Sequence, residues 1–210
     1  MGIDITGYIE RLTPYGGNDG DTPSWDSVIA LSELYLGRDY DAFGCLFGVA
    51  NHARFRPVAA ERGLPADTSS AVRAIYDRDR GYGAASAFSA TWVGWPELRD
   101  IDWEEPAEGV DARVTEYVRT ETGLRPLGKA AWSRAVADSL GTGFGGSYAD
   151  RLPREETEWT HGDMVFRTVL MRRRDAIPAG SEWQPVWDVM RALAQVHGDD
   201  GVRLVVWFHR

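Results

Sequence analysis

The first ten residues alternate. Ile3, Ile5, Gly7 and Ile9 interleave with Asp4, Thr6, Tyr8 and Glu10. A period of two places one set on each face of a strand, so this segment reads as half-buried β-structure. The stretch from Leu12 to Asp26, with Pro14, Gly16, Gly17, Gly20 and Pro23, reads as a loop. Trp25 to Leu36 fits a strand or a short helix. Asp39 is a helix N-cap, followed at helical spacing by Tyr40, Phe43, Leu46, Phe47 and Ala50. Thr68 or Ser69 caps a second helix carrying Val72, Ile75 and Tyr76, which Gly81 to Gly83 ends. Pro96 opens a short helix through Leu98.

The second half is more irregular. Residues 104–112 are acidic and rich in turn formers. Val114, Glu116 and Val118 mark a strand, as do Val165, Val169 and Leu170 within Met164 to Met171. Gly128 to Leu140 reads as a helix with Trp132, Val136 and Leu140 on one face. Ser181 is the expected cap of the longest helix, with Pro185 in its first turn, Val186, Met190, Leu193 and Val196 as its apolar face, and Gly198 as its stop. Val202 to Phe208 is almost continuously apolar and β-branched, the mark of a strand buried on both faces. Strands at both termini with helices between them predict an α+β fold: one mainly antiparallel sheet holding the N- and C-terminal strands, with helices packed on it. The length of 210 residues fits a single domain, 1–210.

Composition narrows the function classes. Net charge is −9, which argues against nucleic acid as a partner, because that binding rests on cations neutralising phosphates. No apolar run nears the roughly 18 residues that span a bilayer, and no basic-then-apolar leader opens the chain. Cys45 is the single cysteine, so no intrachain disulfide or cysteine-rich zinc site forms, and a cytoplasmic setting is expected. Of 23 basic residues only Lys129 is lysine. Lysine chemistry therefore has one candidate, while planar, bidentate anion recognition by arginine has many. Nine Trp and eight Tyr beside these arginines suit stacking of a flat heterocycle that carries an anion.

Motifs for catalysis are weaker. Gly141-Thr142-Gly143-Phe144-Gly145-Gly146 spells GxGxxG but follows a helix, where a dinucleotide loop needs a strand. Asn18-Asp19-Gly20-Asp21 lacks the alternate-position ligands of a calcium loop. Glu158, His161 and Asp163 cluster in sequence and offer a general base or metal ligands for a hydrolase reading. Arg172-Arg173-Arg174 offers either a solvated strand end or an anion-binding rim.

Four blocks carry a resemblance. They are Asp4 to Glu10; Gly37-Arg38-Asp39-Tyr40 with Phe43 to Val49; Arg62-Gly63-Leu64-Pro65 with Ser69 to Tyr76; and Val202 to Phe208. In these the chain resembles a family of uncharacterised phage and actinobacterial proteins; residues 104–180 look less typical of it, which implies an elaboration of the core there. Where relatives often read His-Ser-x-Ser-Trp-Leu, this chain reads Phe88-Ser89-Ala90-Thr91-Trp92-Val93, which keeps Ser89 and Trp92 but not the histidines. The resemblance, with the analogy of phage accessory proteins that sequester nucleotide-derived immune signals, implies a non-enzymatic sponge with no cofactor. Its partner would be a small anionic nucleotide-like ligand, and homo-oligomerisation stays open. In that reading Arg38, Arg54 and Arg56 hold phosphate, Tyr40, Trp92 or Trp95 stacks the base, and Ser89 adds a hydrogen bond. The pocket is expected between the loop after the first helix, which includes Arg62, and the segment from Ser86 to Trp95. Conversion of the ligand by a hydrolase, and blockade of a host factor by a protein-interaction surface, are the alternatives.

Overall fold

The computed structural model describes residues 2–15, 22–81, 87–142 and 151–210. Its centre is the C-terminal strand β8 (Val202–His209), flanked by β1 (Asp4–Thr13) on one side and β3 (Phe88–Gly94) on the other, with β2 (Ser24–Ala30) beyond β1. All three pairings are antiparallel. The two terminal strands thus share one sheet, and β8 is buried from Val202 to Phe208, as its apolar run predicts. Gly7 faces Val206 in this ladder, and a Cβ there would sit 2.6 Å from the Val205 carbonyl oxygen. The close approach of β1 and β8 therefore requires glycine at this position.

Alternation sends β8 side chains to two cores. Leu204, Val206 and Phe208 join the larger one, beneath α1 (Tyr40–Phe47) and α6 (Gln184–His197). Val205 and Trp207 face the other way, onto α2 (Ser70–Arg80), with Tyr8, Ile75 and Tyr76. Asp39 caps α1, its side chain accepting from the amides of Asp41 and Ala42, and Ser69 caps α2 through Val72 N. α3 (Trp95–Arg99) follows β3 directly, with Pro96 in its first turn.

A second antiparallel sheet stands within the 104–180 segment, in the order β5-β4-β7-β6. It consists of two hairpins, β4 (Val114–Thr120) with β5 (Gly123–Ala130) and β6 (Thr157–His161) with β7 (Met164–Thr168), joined by β4–β7 pairing. Its small core gathers Val114, Val136, Ala137 and Phe166, with Trp159 stacked on Phe166.

Several expectations need correction here. The segment from Gly128 is strand up to Ala130, because Gly128, Lys129 and Ala130 pair with β4; only α4 (Arg134–Ser139) is helical, capped by Ser133. The long helix α6 begins at Gln184 and not after Ser181: the Gln184 amide donates to the Ser181 carbonyl in a turn, and Trp183 is the buried cap position. Val196, expected on the apolar face of α6, is 75% exposed. Residues 25–36 divide between the two readings, strand to Ala30 and then one 3-10 turn at Leu31–Glu33. Arg172 to Arg174 do not end a strand; they open the single-turn helix α5 (Arg173–Ala176). Asn18-Asp19-Gly20-Asp21 and residues 143–146 of the GxGxxG run lie outside the described residues.

Candidate functional site

The seven side chains expected to hold a ligand do not line one cleft. Arg38 forms a two-point ion pair with Asp4, Nε donating to Oδ1 and Nη2 to Oδ2 at 2.8 Å, which ties the entry of α1 to the start of β1. Asp4 raises its guanidinium pKa by that hydrogen bond and by charge. Tyr40 accepts from the Ile3 amide at 3.0 Å through its hydroxyl and rests against Phe43. Both residues thus have structural duties that sequence spacing did not reveal. Arg54 sits at φ 59° with its carbonyl accepting from the Glu108 amide. Arg56 pairs with Glu105 at 2.6 Å, and its carbonyl accepts from the buried Arg173. Ser89 lies at φ 48° in the irregularity where β3 slips against β8. Trp92 and Trp95 line two different clefts, one on each side of α3.

The hydrolase residues all lie on the β6–β7 hairpin. Glu158 accepts from Arg167 at 2.7 Å, and His161 and Asp163 are exposed at the β6–β7 turn. Among the described residues, no three His, Cys, Asp or Glu side chains gather closely enough to hold a metal ion. Lys129 is committed to ion pairs, its Nζ 2.5 Å from Asp111 Oδ2 and 3.2 Å from Asp41 Oδ2. Burial alone would raise the Asp111 carboxyl, but hydrogen bonds from Arg113 and Lys129 outweigh it and hold the pKa below the ordinary value.

The first cleft, of about 670 Å³, opens between α3, α5 and α6. Trp95, Trp103 and Trp187 line it over an aliphatic floor that includes Leu98 and Ile177. Trp187 ends a column of rings: Tyr35 stacks on Trp183 at 4.3 Å, and Trp183 on Trp187 at 5.4 Å. The four-residue spacing of Trp183 and Trp187 puts both on one side of α6, which makes the column possible. Arg99, Arg174 and Arg191 also line the cleft. Each is about half exposed and paired with surface acids: Arg99 with Asp100 and Asp199, Arg174 with Glu104, Arg191 with Asp188. Trp103, Trp187 and Arg191 were absent from the sequence-based site. The signal available was the repeat Trp183, Trp187, Arg191 at four-residue steps, which an all-core reading of α6 passes over.

The second cleft, of about 710 Å³, lies between the loop carrying Arg62 and the strand carrying Trp92. Behind it is a buried charge network. Glu10 is fully buried; Oε1 accepts from the Thr68 hydroxyl and the Ser69 amide, both at 2.8 Å, and Oε2 accepts from Arg203 Nε at 2.8 Å. Arg203 Nη2 lies 2.8 Å from the same oxygen, off the line of its N–H bonds. Arg203 Nη1 and Trp25 Nε1 both donate to Asp67. Glu10 and Arg203 are direct cross-strand partners on β1 and β8, so the sheet register itself builds the pair.

No family model, curated protein or solved structure matches the chain.

Proposed function

We propose that the protein binds and sequesters a small nucleotide-derived ligand in the first cleft. The observation that carries this reading is the joining of three tryptophans and three arginines around one cavity of about 670 Å³. Such a volume falls within the range of roughly 300–1,000 Å³ typical of small-molecule sites. A base entering it would extend the ring column at Trp187, a contact worth roughly 1–3 kcal/mol per stacked base. Phosphate oxygens would take over Arg99, Arg174 and Arg191. Their present partners are exposed acids, and exposed ion pairs are weak enough to exchange for a phosphate that binds a guanidinium at two points.

Holding rather than converting the ligand is supported by what lines the cavity. Rings, aliphatic carbons, guanidiniums and two glutamines dominate, and Asp199, the carboxylate among the described lining residues, is paired with Arg99. In the phage setting to which the sequence resemblance points, a protein of this kind would lower the free concentration of a nucleotide-derived immune signal.

Calorimetry against cyclic nucleotides and ADP-ribose derivatives tests the reading. Binding is expected for at least one of them, with Trp187→Ala weakening it about ten-fold or more, as loss of one stacking ring predicts. Arg38→Ala, which lies on neither cleft, is expected to bind normally. Ligand recovered after heat denaturation should be chemically intact. Absence of heat across the panel, or normal affinity in Trp187→Ala, would overturn the reading, and a converted product would replace sequestration with catalysis.

A further inference from the structure

The second cleft has a chemistry of its own. Its charged groups stack on its rings: the Arg203 guanidinium lies 3.8 Å from the centre of Trp25, and that of Arg62 lies 5.1 Å from the centre of Trp92. Each guanidinium is held by carboxylates, Arg203 by Glu10 and Asp67, and Arg62 by both oxygens of Glu97. The protein thus already assembles the unit of flat cation, indole face and carboxylate twice within one cavity.

Negative charge is left over. Asp67, Glu97 and Asp200 line the cleft with Arg62 and Arg203, Glu10 stands behind Arg203, and Arg73 sits beside the rim, donating to the Pro65 and Ala66 carbonyls. Asp200 lines the cleft, is exposed, and has no hydrogen bond or ion pair among the described residues. Asp67, on the same rim, is 66% exposed and has its carboxyl held below the ordinary pKa: burial would raise it, but hydrogen bonding and charge from Arg203 prevail. The chain as a whole carries −9, so the long-range field also favours a positive ligand.

We propose that this cleft is a second binding site, for an organic cation of the guanidinium type. Asp200 is the ligand's counter-ion, and the accessible parts of Trp25 and Trp92 are its flat walls. Arg203, anchored from behind by Glu10, keeps the two rings apart and in place. The same chemistry can arrive as a free small molecule or as an arginine side chain on a peptide.

Tryptophan fluorescence of the full chain, titrated with butylguanidinium, with its neutral isostere butylurea and with the peptide acetyl-Gly-Arg-Gly-amide, tests the proposal. Saturable binding of butylguanidinium in the millimolar range or tighter is expected, with butylurea about ten-fold weaker. Asp200→Asn should lower butylguanidinium affinity about three- to five-fold, the size of one exposed charge pair, without moving the melting temperature. Tighter binding of the peptide than of butylguanidinium assigns the site to protein-borne arginine; equal or weaker binding assigns it to a free small molecule. Equal affinity for butylguanidinium and butylurea, no binding of either cation, or an unchanged affinity in Asp200→Asn would each overturn it.

Discussion

Glu10 shows how much a single side chain can impose on a sheet. Removing a carboxylate and a guanidinium from water costs several kcal/mol per ion, and their mutual attraction offsets this only when every remaining hydrogen bond is made. The Glu10 carboxylate meets that condition through Thr68, Ser69 and Arg203, while Arg203 Nη2 is left without a hydrogen bond of its own. Glu10→Ala would leave the buried Arg203 with the exposed Asp67 as its one remaining counter-ion and orphan the Thr68 and Ser69 donors, and a loss of about 3 kcal/mol in unfolding free energy is expected. Glu10→Met combined with Arg203→Met should recover much of that loss, since no buried charge is then left unpaired; denaturant midpoints of the single and double variants check both statements. None of this was legible beforehand. Glu10 is one polar position in an alternating strand, and its partner lies 193 residues away. Arg38 makes the reverse point. It stood out in the sequence because no local duty explained it, and the duty is a contact with Asp4, 34 residues earlier.

At the scale of elements, sequence pattern works where the determinant is local. The caps at Asp39 and Ser69, the proline in the first turn of α3 and the glycine after α6 each act within a few residues, and each lies where the pattern put it. The pattern misleads where a neighbouring strand outbids local preference. Trp132, Val136 and Leu140 repeat at four-residue steps, yet the preceding residues are captured by β4. Pairing also explains Gly7, which reads simply as a weak strand position. The Cβ of Gly7→Ala would meet the Val205 carbonyl at 2.6 Å and Val206 Cγ1 at 2.8 Å. Overpacking of this kind costs about 1–3 kcal/mol, so this small substitution should lower the melting temperature by several degrees, as calorimetry would show. The candidate binding site was only partly readable for the same reason. Trp92 and Trp95 are three residues apart, and the turn from β3 into α3 sends them to different clefts.

Across the whole molecule, burial of ionisable groups limits the pH range of the fold. Desolvation pushes the Cys45 thiol up to about 11, and it pushes the Tyr35 hydroxyl up to about 12. Both are neutral in the native state and hold their protons more tightly there than in the unfolded chain. Their contribution is complete below the ordinary thiol value of 9.0 and is lost as pH rises through about 11. The melting temperature should therefore be flat between roughly pH 7 and 9 and fall above that. Cys45→Ala should fall less steeply, and an equal fall in both proteins would assign the alkaline limit elsewhere. Asp111 acts at the other end, its depressed pKa giving stability that is lost as pH drops below the ordinary carboxylate value of 3.8.

Taken alone, the sequence determined the α+β class, the buried terminal strand and the starts of the first three helices, because periodicity and capping act over a few residues. Its charge and composition also set which ligand chemistries the surface could offer. Only the tertiary structure decided where those chemistries converge. The first cleft draws on residues 95–103 and 174–199, and the second on residues 25, 62–67, 92–97 and 200–203. A cavity is a relation between surfaces brought together by sheet register and helix packing, and no local pattern encodes contacts across a hundred residues of intervening chain.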